Sequence, residues 1–262
     1  MKPSSLIILF FLTLCLSLPA QKQMTVSQFE QEILRLTNHE RSQYGLPALQ
    51  NEPGLVTLAR RHTVNMVQKN FFAHRDPWGD EVSGRKSKYY PELLVSNIGE
   101  NLGKFTNSRL AFKPEEVVTG WMNSPTHRAQ ILDRDYTHIG IAIMIKGTDM
   151  FATQNFASPI VKLSNSIPEN LSHKKSYVLR FDYLANQDPK HLGATLIYPD
   201  RKFAYKLSEE QEMVGAQPIP IKWVNQRSFE VVVPFLAGKG NYQLCFGYDG
   251  GYFPEGILLK VK

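Results

Sequence analysis

The stretch PEEVVTGWMNSPTHRAQILDRDYTHIGIAIMIKGTDMFATQNF, Pro114 to Phe156, decides the fold. Pro114 opens a helix, because proline at the first helical position gives up an N–H that has no intrahelical partner there. Val117, Val118 and Trp121 then fall on one side of that helix. Ser124 and Pro125 break it and start a shorter one through His127 to Leu132, with Ser124 expected as the N-cap. The period then changes from helical to alternating. Ile139 to Ile145 and Met150 to Phe156, joined across Gly147, Thr148 and Asp149, read as a β-hairpin.

Upstream, Val26, Phe29, Ile33 and Leu36 share one helical face between Thr25 and Tyr44. Thr25 with Gln28 reads as a capping box, and Gly45 and Pro47 end the element. A second helix starts near Asn51 and Pro53, with a face of Leu55, Leu58, Ala59, His62 and Met66. His62 therefore points inward, as a core histidine. Asp76, Pro77 and Gly79 mark a loop, and a short extended piece follows around Asn97 to Phe105. Helices before and after a small sheet predict a layered α/β domain.

After about Pro159 the helical periodicity stops. Tyr177 to Tyr183, Ala194 to Tyr198, Ile219 to Val224, Phe229 to Phe235, Tyr242 to Tyr248 and Ile257 to Val261 are short aromatic and β-branched runs between turn residues, which predicts a small all-β sandwich. The expected divisions are a leader at 1–20, an α/β domain at 24–160, a linker at 161–172 and the β-sandwich-like domain at 173–262.

The leader follows from Lys2 before a run from Leu6 to Leu18 that is apolar except for Thr13 and Ser17, with Ala20 suited to cleavage before Gln21. That run is shorter than the roughly 20 apolar residues a spanning helix needs, so no transmembrane anchor is expected after cleavage. Leu14, where lipoprotein processing wants a small residue, argues against a lipid on Cys15. The expected compartment is outside the cytoplasm, extracellular or periplasmic. Cleavage removes Cys15 and leaves Cys245 as the one cysteine of the mature chain. An exported protein without an internal disulfide favours a bacterial source. Cys245, in the apolar run Tyr242 to Phe246, reads as a buried small hydrophobe. Loss of Lys2 with the leader takes the net charge of the 262-residue chain from +6 to +5. No run of Lys or Arg interleaved with aromatics accompanies that charge, so no nucleic-acid partner is expected.

Four segments carry a resemblance: LTNHERSQYGLPAL at Leu36 to Leu49, ARRHTVNMVQKNFFAH at Ala59 to His74, GENLG at Gly99 to Gly103 and GWMNSPTHRAQIL at Gly120 to Leu132. With HIGIAI at His138 to Ile143 they resemble, in the same order, the compact bacterial form of the CAP superfamily, the cysteine-rich secretory protein, antigen 5 and pathogenesis-related 1 group. The resemblance covers residues 25 to 160. It implies an α/β/α three-layer sandwich with a cleft lined by two histidines and two acidic residues. His74, Glu100 and His127 match three of those positions, and Ser124 stands at the fourth.

His74, Glu100 and His127 are the candidate catalytic residues, and with Ser124 they are the candidate cleft-binding residues. Three roles are open to them. His74 and His127 with Glu100 suit a three-ligand site for zinc, the one cofactor such a set points to. The same groups suit a metal-free acid/base pair in which Glu100 orients a histidine. They also suit a hydrogen-bonded network that fixes the loops. Trp121 reads as core, Asn101 and Arg128 as backbone-bonding neighbours, and Arg41 with His39 as ties between the first helix and the following loop. No GxSxG or HExxH motif supports a hydrolase independently. The favoured reading is a non-enzymatic exported binding module for a small hydrophobic ligand, an envelope component or a protein. Its alternatives are a metal-assisted hydrolase using His74, Glu100 and His127, and a surface adhesin or scaffold acting through the β-domain.

Overall fold

The structure is a computed structural model, and it describes residues 24–262, so the expected leader at 1–20 lies outside the described residues. Among the described residues no helix is long and apolar enough to cross a membrane. The first helix, α1 (Val26–Gln43), opens with the capping box expected from Thr25 and Gln28. Strand β1 (Gln50–Asn51) is followed by α2 (Pro53–Lys69), which is capped by Glu52 and has Pro53 at its start. Helix α3 (Val82–Tyr89) has no counterpart in the sequence reading. Strand β2 (Leu93–Thr106), helices α4 (Pro114–Asn123) and α5 (Pro125–Ile131), and strands β3 (His138–Lys146) and β4 (Asp149–Leu163) complete the first domain.

Alternation along β3 and β4 sorts side chains to two faces. Ile139, Ile141, Ile143, Met150, Ala152 and Phe156 pack against Phe29 and Ile33 of α1 and Val117 and Trp121 of α4. On the other face, α2 contributes Leu55 against Ala157, and Met66 and Val67 against Leu102 and Phe151. The result is the expected α/β/α order of layers. Close approach of α2 to the sheet depends on Gly140, where a Cβ would lie 2.1 Å from the backbone carbonyl carbon of Leu55 and 2.2 Å from the amide nitrogen of Val56. Backbone cannot swing aside as a side chain can, so Gly140→Ala is expected to cost about 1–3 kcal/mol of unfolding free energy. A chemical denaturation midpoint equal to that of the parent would contradict this packing.

Strand β4 continues through the expected boundary, because residues 161–163 are strand and pair with β5 (Tyr177–Tyr183). Pro159 sits within β4 opposite Val95, at the irregular register that β2 makes between Leu94 and Asn97, where a missing N–H is tolerated. Beyond β5 come β6 (Leu192–Ile197), a small hairpin of β7 (Ala204–Lys206) and β8 (Glu212–Val214), then β9 (Ala216–Ile219), β10 (Ile221–Asn225), β11 (Ser228–Val233), β12 (Gly240–Tyr248) and β13 (Gly256–Val261). Strands β5, β11 and β10 extend the sheet of the first domain, and β13, β12, β6 and β9 form a second sheet. Phe181, Phe229 and Phe246 pack between the two sheets, and Leu94, Ile160 and Val161 from β2 and β4 join the same core. Cys245 is fully buried on β12, and burial pushes its thiol pKa up to about 11. The domains also meet at α3, where buried Lys86 lies 2.7 Å from Glu255 and Ser87 donates to the same carboxylate at 2.6 Å.

Candidate functional site

Edge strand β2 passes between the two helical layers, and the site forms there. Glu100 lies on the α2 side of β2, on the same face as Leu102, and its side chain is 2% exposed. His74 reaches it from the loop after α2, with Nδ1 at 2.9 Å from Glu100 Oε1. A carboxylate oxygen only accepts, so Nδ1 carries the proton and Nε2 is left to the surface. The His74 side chain is 55% exposed. The loop that holds it is shaped by Asp76, which accepts from the N–H groups of Trp78 and Asp80 at 3.0 and 2.9 Å.

The other Glu100 oxygen belongs to Arg85, a residue the sequence reading passed over. Arg85 Nη2 donates to Glu100 Oε2 at 2.5 Å, and both side chains are almost wholly buried. Its Nη1 donates to the carbonyls of His74 and Asp80 at 2.6 and 2.8 Å, so one guanidinium fixes both the glutamate and the histidine loop. Asn155 of β4 adds a third donor, 3.2 Å from Oε2, in the amide orientation that also lets its oxygen accept from Ala59 N–H at 3.0 Å. His62 is buried as expected, and its Nε2 donates to the Ala73 carbonyl at 3.0 Å. It is also part of the site, because the same nitrogen lies 3.9 Å from Glu100.

His127 enters from α5 on the other side of β2, where its carbonyl accepts from Asn101 Nδ2 at 3.0 Å. Burial, and then repulsion from the His74 charge, hold the His127 pKa below 6.5. The hydrogen bond to Glu100 does the opposite for His74, raising its pKa above 6.5 against a smaller opposing effect of burial. The opposite shifts leave His74 the more basic of the two imidazoles. Ser124 is the N-cap of α5 as expected, with Pro125 at the first helical position, but its side chain makes no cap bond, and its hydroxyl lies 3.3 Å from that of Thr126. Arg128 also departs from expectation. It bonds the Tyr44 hydroxyl rather than backbone, and its guanidinium lies 5.3 Å from the centre of the Tyr44 ring. Trp121 is core as expected, and its indole N–H donates to the Leu102 carbonyl at 3.0 Å.

A zinc ion held by His74, Glu100 and His127 does not fit this arrangement. Both Glu100 oxygens are committed to donors, and the buried guanidinium cancels the carboxylate charge that would hold a cation. Ser124 supplies no second carboxylate. Among the described residues no group of three or more His, Cys, Asp and Glu is placed to hold a metal ion.

Residues 34–156 match the model of the cysteine-rich secretory protein family, CAP. The Bacillus subtilis (strain 168) uncharacterized protein YkwD is 37% identical over 125 residues, 47% of this chain and 46% of that protein. The uncharacterized membrane protein YlbC of the same strain is 30% identical over 128 residues, 48% of this chain and 34% of that protein. The match thus spans less than half the length of either relative. Among solved structures, an extracellular protein containing a SCP domain from Bacillus anthracis str. Ames aligns with a TM-score of 0.44 and 26% identity, over 52% of this chain and 45% of that one.

Proposed function

Residues 34–156 form a CAP domain of bacterial type, and we propose that the protein is exported and uses the cleft around His74 to hold an acidic component of the cell envelope without chemical turnover. The observation that carries this reading is an exposed imidazole braced from beneath by the buried Glu100–Arg85 pair. Nδ1 is occupied by Glu100, so Nε2–H of the charged ring is the donor offered to a ligand. Phe72 and Trp78 flank His74 in the same loop and are 46% and 56% exposed. A cationic donor in a loop that also exposes two aromatics suits a phosphate or carboxylate borne on an amphiphile at the membrane interface. The net charge of +5 expected on the mature chain favours approach to such a surface. Hydrolysis is disfavoured because Glu100, held by three donors, is poorly placed to take a proton, and the Ser124 hydroxyl is turned to Thr126 and not to a base. Export is supported by the leader expected at 1–20.

Co-sedimentation with phosphatidylglycerol vesicles diluted in phosphatidylcholine tests the reading. The His74 pKa is raised above 6.5, so its charge is full at low pH and is lost as pH rises through that raised value. Binding is expected to be stronger near pH 6 than near pH 8, to lose that pH dependence in His74→Ala and to weaken in Trp78→Ala. Equal binding at both pH values by the parent and both variants would reduce the interaction to overall charge and remove the cleft from it.

A further inference from the structure

We propose that the cavity between the two domains is a saccharide-binding site, separate from the His74 cleft and independent of the reading given to it. The cavity has a volume of about 650 Å³, and Arg134, Asp135, Asn186, Gln187, Tyr248 and Phe253 line it. That volume lies in the range of small-molecule sites, and domain junctions are where such sites concentrate. The loops that carry the polar residues are held by backbone atoms. Ser158 Oγ donates to the Asp135 carbonyl at 2.6 Å, Tyr183 Oη to the Gln187 carbonyl at 2.9 Å and Arg227 Nη1 to the Ala185 carbonyl at 2.8 Å. Pinning the main chain fixes where the exposed side chains of Arg134, Asp135, Asn186 and Gln187 attach and leaves their polar groups available.

The chemistry of the lining selects the ligand. Its one cation and one anion cancel, so neither an acidic nor a basic polymer finds a field to enter. Planar amide, carboxylate and guanidinium groups together present donors and acceptors in pairs, the match for neighbouring hydroxyl or acetamido groups. Tyr248 and Phe253 are half-buried and meet edge to face with centroids 6.2 Å apart, an apolar platform for the C–H face of a pyranose. The Tyr248 hydroxyl lies 3.3 Å from that of Tyr183, which anchors the platform to the β-domain core. A concave site of this size does not offer the extended surface of roughly 800 Å² per partner that a stable protein complex buries.

The test uses the mature chain from Gln21 onward on an array of neutral and N-acetylated oligosaccharides, with calorimetry on those retained. The triple variant R134A/N186A/Q187A alters only exposed side chains and is expected to keep the parental melting temperature while binding at least about tenfold more weakly. His74→Ala is expected to bind the saccharide as the parent does. The proposal is overturned if no oligosaccharide is retained, if the triple variant binds as tightly as the parent, if His74→Ala abolishes binding, or if the cavity takes a peptide and no sugar.

Discussion

Arg85→Met is expected to destabilise the protein by on the order of 3–5 kcal/mol, the cost of leaving a buried carboxylate without its counter-charge. Arg85 and Glu100 are 1% and 2% exposed, and their contact is 2.5 Å, so water cannot replace the guanidinium without opening the layer between α3 and β2. The same change releases the carbonyls of His74 and Asp80, and so loosens the loop that presents His74. In a chain of this size the melting temperature should fall by roughly 10 °C. The double variant Arg85→Met, Glu100→Leu should recover part of the loss, because an apolar pair leaves no orphaned charge. A single variant within about 0.5 kcal/mol of the parent in urea denaturation would show that the pair does not brace the His74 loop.

Arg41→Met carries the second large effect, again of roughly 3–5 kcal/mol, and it arises from hydrogen bonds to backbone. Arg41 is fully buried near the end of α1 and donates to four carbonyls, those of Pro47 at 2.9 Å, Ile131 at 2.8 Å, Asp133 at 2.7 Å and Tyr136 at 3.2 Å. It thereby ties α1 to the segment that leads from α5 into β3, and so fixes the base of the element that carries His127. Methionine fills part of the volume and satisfies none of these acceptors. Arg41→Lys should rescue little, since one ammonium cannot span acceptors spread across a planar fork. Recovery of full stability by lysine, measured by thermal and urea unfolding, would mean that charge rather than the fork matters there.

These two arginines also mark where the sequence was hard to read. Elements with an apolar period were legible. The capping box at Thr25 and Gln28 and the start of α2 at Pro53 stand as expected, and so does the hairpin expected across Gly147, Thr148 and Asp149, except that Asp149 already pairs with Lys146 as the first residue of β4; each rests on local rules of capping, periodicity or turn geometry. Helix α3 was not legible. Its sequence VSGRKSKY has no apolar stripe, and its inward residues are the charged Arg85 and Lys86, which look like surface until their partners Glu100 and Glu255 are known. His74 and Glu100 were found through their motifs and do meet. The brace beneath them was missed, since a buried cation gives no periodic signal. Arg41 was expected to hold only the following loop, and its reach to Ile131, Asp133 and Tyr136 depends on contacts about ninety residues apart. The boundary near 160 was read from a change in composition around Pro159. Strand β4 runs through it because the irregular register of β2 accommodates the proline and β5 then pairs with its end.

The proposed binding site turns on one imidazole, and long-range proton–nitrogen NMR of the histidine rings across pH 5 to 9 reads it directly. The His74 signals can be assigned by their loss in His74→Ala, a change at an exposed side chain. His74 is predicted to titrate above 6.5 and, once neutral, to keep its proton on Nδ1, held there by Glu100, while His127 titrates below 6.5. The His74 contribution to stability is then present below its unfolded pKa and is lost as pH rises through the higher folded value. A His74 that titrates below 6.5, or that carries its neutral proton on Nε2, would contradict the braced-imidazole site and the binding reading built on it.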